Sequence, residues 1–361
     1  MNVSRIFGAR LGWAAAAAAA AFALVACGGD DDPPAAPATK FTVTPLVSDG
    51  SIAAAHTDAN LVNGWGVAFN PTGFVWVADA GTAKSTLYDG NGVVQSLVVA
   101  TPPSPTGIVF NGTASDFVVT RAGVSGASAF IFAGEDGTLA GWSPTVNRTA
   151  TVTVFDGGNA GKSYKGLALA AQGGANFLYA TDFHNGAVDM FDRTFTPFST
   201  AGRFRDAALP AGYAPFGIQA IGSQIYVTYA KQDAQAHDAV NGAGLGVVDV
   251  FDTAGTFVKR LVAGGPLNAP WGVAMAPAGF GTFGSALLVG NFGDGRINAF
   301  DPATGRFLGA LSKADGTPIV IDGLWGIAFG NGVNQQPATT LFFAAGPVDE
   351  THGLYGRIDM Q

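Results

Sequence analysis

The chain has almost no glutamate and almost no cysteine. Glu135 and Glu350 are its only glutamates, beside many Asp residues and 52 Gly. Glutamate favours helices, whereas Asp and Gly favour tight turns, so this skew predicts many turns and very little helix. Cys27 is the single cysteine, which excludes an internal disulfide and any motif built on a Cys pair. Positive charge is also scarce: 18 Lys and Arg stand against 26 acids, the net charge is −8, and no basic run occurs. That balance argues against a nucleic-acid partner. Past the N-terminus no apolar run approaches the length of a membrane-spanning helix. The chain contains no G-x-S-x-G elbow, H-E-x-x-H pair or P-loop. Its Gly-rich stretch Gly242–Gly246 precedes a strand rather than a helix, which removes a phosphate-cradling reading.

What the chain does have is repetition. Trp65-Gly66-Val67-Ala68-Phe69 returns as Trp271-Gly272-Val273-Ala274-Met275 and as Trp325-Gly326-Ile327-Ala328-Phe329. Weaker copies start at Thr106-Gly107, Lys165-Gly166 and Phe216-Gly217. The six glycines are spaced 41 to 59 residues apart, a period that signals a β-propeller with several short strands per unit. Each copy reads as four strands, A to D. In the fifth, A is 271–276, B is 286–292, C is 296–300 and D is 306–311, with Gly293-Asp294-Gly295 turning B into C. Strand B recurs at 74–80, 116–122, 177–183, 224–230 and 340–345. Strand C ends in an aromatic-Asp pair at Asp89, Asp192, Asp252 and Asp301. The second copy is irregular and carries an additional hairpin candidate at 130–142. The sixth finishes with strand C at 354–359 and has no D of its own, while 41–47 is a strand with no A, B or C before it. Pairing the two predicts an all-β, six-bladed propeller of four-stranded blades, a single domain over 41–361 closed by its N-terminal strand.

The first 40 residues address the protein. Arg5 and Arg10 precede an apolar stretch from Leu11 to Ala23, too short to span a membrane, and then Leu24-Val25-Ala26-Cys27. This resembles the bacterial lipobox, in which a signal peptide (here 1–26) is cut before a cysteine that receives lipid. Residues 27–40, small, acidic and Pro-rich, read as a disordered tether. The expectation is an exported protein held to a membrane by lipid on Cys27. Gly28 after that cysteine favours the outer membrane or periplasmic side over the inner membrane.

The order Gly-[Val/Ile]-Ala, then strands such as Phe74–Asp79 and Phe177–Asp182, then an aromatic-Asp turn is similar to NHL-repeat and gluconolactonase-like six-bladed propellers. More closely, Asn63–Pro71 and Ile131–Trp142 resemble a family of exported bacterial proteins of unknown function. The resemblance implies the fold and export, and brings no known activity. Gluconolactonase-like enzymes hold a divalent metal in the tunnel with a Glu at the start of the first inner strand; the matching stretch here, Leu61–Trp65, has no Glu.

Candidate residues follow from the strand frame. The D–A and B–C loops share one end of the tunnel, the top face, where loops from every blade converge and propellers usually take ligands. Asp79, Asp182 and Asn291 end strand B in alternate blades, and Asp322 stands at a strand A start. These four with His184 form the expected ligand site. Asp79, Asp182 and Asn291 are the expected ligands of a divalent cation such as calcium, drawn by a negative ring. Asp182 with His184 is equally a turn cap. Trp65, Trp271 and Trp325 either line the mouth or pack between blades. The long loop 231–244 also lies on the top face. The leading reading is a binding or scaffold module for an unknown small molecule or protein. The alternative is a metal-dependent hydrolase, lactonase or lyase at the tunnel mouth.

Overall fold

The computed structural model describes residues 39–361; the expected signal peptide, Cys27 and most of the tether lie outside the described residues. Five four-stranded antiparallel sheets and a sixth, closing sheet surround one axis. Blade 1 runs Gly64–Phe69, Val75–Asp79, Lys84–Tyr88 and Val99–Ala100, from the axis outward. Blade 6 runs Leu324–Phe329, Leu341–Ala345, Leu354–Met360 and then Phe41–Ser48, the N-terminal strand. Phe41 pairs with Met360 and Ser48 with Leu354, across a bulge between Pro45 and Val47. Phe41, Leu46 and Val47 are buried, so closure joins the cores on both sides of the seam. His56–Thr57 adds a short parallel strand beside Val47–Ser48.

Among the described residues the only helical pieces are three single 3-10 turns, as the scarcity of Glu predicts. The aromatic-Asp pairs have a plain local purpose. Tyr88, Phe191, Phe251 and Phe300 are buried, and the following Asp caps the turn into strand D. Asp192 Oδ1 accepts the Thr194 and Thr196 amides at 2.8 and 3.0 Å, and Asp89 Oδ1 accepts those of Asn91 and Val93, both at 2.9 Å.

Blade 2 corrects the sequence reading. Its strands B and C are Phe130–Gly134 and Thr138–Trp142, the segment expected to be the additional hairpin. The stretch expected as strand B instead forms an inserted hairpin, Val118–Arg121 with Val124–Ala127. A strand inside a blade is covered on both faces. Phe130–Gly134 is buried at every position, with Phe130 stacked on Trp76 at 4.2 Å, whereas Val118–Arg121 buries only Val119.

Candidate functional site

The residues before the six repeat glycines form a ring of equivalent positions, Trp65, Thr106, Lys165, Phe216, Trp271 and Trp325, whose four aromatic members meet at the axis. Residues from non-adjacent blades touch. The Trp65 and Trp271 rings lie 6.1 Å apart and Phe216 is 5.7 Å from Trp325; from the adjacent blade 5, Phe292 also stacks on Trp325 at 4.1 Å. The Trp271 indole N–H donates to the Lys165 carbonyl at 2.9 Å. These groups plug the axis at its top end. Beyond the plug, later residues of the six A strands enclose a cavity of about 490 Å³ whose one polar side chain is Gln219.

The repeat glycines allow this closeness. A Cβ on Gly217 would stand 2.0 Å from the Trp271 carbonyl oxygen. On Gly66, Gly272 and Gly326 it would stand 2.5 Å from the carbonyls of Thr106, Trp325 and Trp65. Four of the six inner strands therefore lean on the ring residue of the next blade through a gap that only glycine leaves.

Charge gathers on top of the plug. Lys165 is 2 % exposed and extends its amine over Trp65, 5.4 Å from the ring centroid, and over Phe183 at 5.9 Å. The amine is paired with Glu135 and lies 3.8 Å from Asp238. Asn63 Oδ1 accepts both the Trp65 and the Trp325 indole N–H, at 2.9 and 3.1 Å, which leaves its amide to donate to Glu350 Oε2 at 2.7 Å. Burial pushes the Glu350 carboxyl up, and Glu135 and Asp238 add to that, against the Asn63 hydrogen bond and Lys165. The only two glutamates of the chain thus converge, from the B–C loops of blades 2 and 6. The long loop of blade 4 adds Asp238 and His237, and one oxygen or nitrogen each of Glu135, His237 and Asp238 lie within 4.8 Å of one another. Leu61–Trp65 has no glutamate of its own, yet Glu350 is delivered to Asn63 in the middle of it.

The sequence candidates fall into two groups. His184 and Asp322 are exposed on the top face and touch the loops that carry this cluster. His184 Nδ1 lies 3.3 Å from the Ala236 carbonyl, and Asp322 Oδ2 accepts the Val348 amide at 2.9 Å. Asp79, Asp182 and Asn291 were expected to point into one funnel and share a cation; the structure places them in three separate blade interfaces. Along strand B the side chains alternate, so Asp79 shares the face of Val75 and Val77, which packs against blade 6. Asp182 likewise follows Leu178 and Ala180 toward blade 2, where it meets Lys162 at 3.3 Å and accepts the Ser163 amide at 3.2 Å. Asn291 follows Leu287 and Val289 toward blade 4 and donates to the Pro266 carbonyl at 2.8 Å. Burial pushes the Asp79 carboxyl well above the usual carboxylate range.

A further acid of this kind has a measurable consequence. Asp249, between blades 3 and 4, is fully buried, with Arg260 Nε 3.7 Å away but bonded to Asp206 at 2.8 Å. Burial, reinforced by the Asp206 carboxylate, pushes Asp249 up to about 7. A folded-state value above the unfolded one means the folded protein binds the extra proton, so this stability is present at low pH and is lost as pH rises toward 7. Urea unfolding at pH 5 and pH 8 should show the wild type losing about 2 kcal/mol more than Asp249→Asn over that span. Equal losses in both would mean that Asp249 stays ionised throughout.

A closed six-bladed β-propeller with a plugged axis and an acidic cluster over the plug is the class of protein that these features define. The chain belongs to a family that includes two uncharacterised proteins of Acanthamoeba polyphaga mimivirus. Protein R648 is 34% identical over 334 residues, which cover 89% of this chain and 80% of that protein. Protein L690 is 33% identical over 330 residues, covering 88% and 85%. These relatives are viral and lend no support to an exported bacterial family. No established family profile matches the chain. Among solved structures, virginiamycin B lyase from Staphylococcus aureus is similar in fold at TM-score 0.50 and 14% identity, covering 89% of this chain and all of that one. A protein of unknown function from Bacteroides thetaiotaomicron reaches TM-score 0.55 at 10% identity, covering 89% and 76%. At such identities the likeness extends to the fold alone.

Proposed function

We propose that this protein is a lipid-anchored, extracytoplasmic binding propeller that captures a positively charged ligand on its top face. The observation that carries the reading is the convergence of Glu135, Glu350 and Asp238 around the single buried amine of Lys165. Three carboxylates against one ammonium leave the cluster net negative, and the plug beneath it keeps water away from one side. His184 and Asp322 act at the rim by steadying the loops that carry Asp238 and Glu350. A thermal-shift panel tests this. Cationic probes such as spermidine or an amino sugar should raise Tm in wild type and fail to do so in Glu135→Gln. Stabilisation by anionic probes such as citrate instead would overturn the reading.

The anchor rests on the sequence Leu24–Cys27. Two or more acyl chains hold a protein to a membrane where one does not. Expressed with its leader in a bacterium, Cys27→Ala should move the protein from the membrane fraction to the soluble periplasmic one. If the variant sediments with membranes as before, the lipid is not what holds it.

A second reading is a metal-assisted hydrolase, lactonase or lyase, and its support is the trio Glu135, His237 and Asp238. One nitrogen and two carboxylates suit a transition metal that would polarise a carbonyl or activate water. Metal analysis of the purified protein before and after chelation separates the two: about one tightly held ion per chain, lost in His237→Ala, favours the enzyme.

A further inference from the structure

The seam that closes the ring holds a buried acid that no salt bridge among the described residues satisfies. Asp79 is 0 % exposed; the Thr86 hydroxyl and amide are the donors beside it, and neither completes a hydrogen bond of good geometry. The Thr86 hydroxyl, 1 % exposed, lies between Asp79 and Tyr88 without a well-formed bond to either. Val77 lies opposite Thr86 and Val75 opposite Tyr88, so both residues share the face of Asp79. Asp58, on the segment between the closing strand and blade 1, enters the same nest and accepts the Tyr88 hydroxyl at 3.1 Å. Its other oxygen accepts from Asn60.

Equivalent positions in other blades show what is missing. In blade 3, Lys162 reaches Asp182 at 3.3 Å and Asp189 at 2.5 Å. In blade 4 the equivalent residue is the neutral Tyr229. In blade 5 the acid is replaced by the neutral Asn291. Blade 1 keeps the acid and has no cation on it. Lys84, directly across from Asp79, turns its amine to Asn60 Oδ1 at 2.6 Å. A buried carboxylate must be matched by a proton or by a positive charge.

We infer that Asp79, Asp58, Thr86 and Tyr88 form a binding site for a hard, oxygen-preferring divalent cation of the calcium type, which ties the segment after the closing strand to blade 1. Carboxylate oxygens are the ligands such ions prefer, and the two neutral hydroxyls supply further oxygen atoms beside them. The site is separate from the top-face cluster and does not depend on that reading.

The test uses residues 39–361, stripped with chelator and returned to calcium, magnesium or sodium at matched ionic strength. Calcium should raise the wild-type Tm by on the order of a few degrees, with about one ion bound per chain. Asp79→Asn should lose that rise while melting no lower than wild type in chelator. Glu135→Gln should keep it, which separates this site from the top face. If Asp79→Asn does not fold, Thr86→Val should still require about tenfold more calcium for half the shift, a loss of one ligand's worth of affinity. No calcium shift in wild type overturns the proposal. So does a shift that survives Asp79→Asn, or an unchanged calcium requirement in Thr86→Val.

Discussion

Deleting Phe41–Ser48 is expected to collapse the whole ring rather than fray one blade. The strand supplies seven paired positions to Leu354–Met360, and it buries Phe41, Leu46 and Val47 in the cores on both sides of the seam. Each of those side chains is worth about 1.5–3 kcal/mol of burial. Their sum of roughly 4.5–9 kcal/mol approaches the entire stability of an ordinary domain. The deletion also leaves a long unpaired edge that invites aggregation. Comparing 39–361 with 49–361 by circular dichroism and size exclusion should show a single unfolding transition for the first and aggregation or loss of the transition for the second. A truncated chain that melts at the same temperature would mean that the ring does not depend on its N-terminal strand.

The second large effect is expected at Gly217→Ala. One methyl group there would sit 2.0 Å from the Trp271 carbonyl oxygen, against backbone that cannot rotate away. Moving it means parting blades 4 and 5 at the axis, where Phe216, Trp271 and Trp325 hold one another. Overpacking of this severity costs about 3 kcal/mol, the upper end of the usual range. The control is Gly279→Ala, whose new methyl would find its nearest neighbour at 3.8 Å. That variant should stay within about 0.5 kcal/mol of wild type. Denaturant midpoints that fall equally in both variants would show that the repeat glycines do not serve close approach.

Why the sequence revealed the ring and not the site is a matter of period. The Gly-start of each inner strand repeats because every blade meets its neighbour in the same way, so Trp65, Trp271 and Trp325 were visible as copies of one position. Aligning all six copies also singles out Lys165 as the only charged residue at that position, a signal present in the sequence that the expected site of Asp79, Asp182, His184, Asn291 and Asp322 did not use. Blade 2 was misread because the apolar pattern of 116–122 suits a strand as well as 130–134 does, and only burial on both faces separates them. Glu135 and Glu350 are 215 positions apart, in loops without a common motif, and nothing local announces that they meet. Asp79, Asp182 and Asn291 were correctly seen as equivalent, but equivalence fixes the height in the blade and not the direction. The alternation Val75, Val77, Asp79 directs the side chain into the blade interface, and the same holds for the other two.

The most direct test of the central claim is a crystal structure grown with whichever cationic probe most stabilises the protein. The account predicts density over Trp65 within hydrogen-bonding distance of Glu135, Asp238 and Glu350, with the plug intact beneath it. Density inside the apolar cavity beside Gln219, or a top face left bare while the probe binds elsewhere, would contradict it.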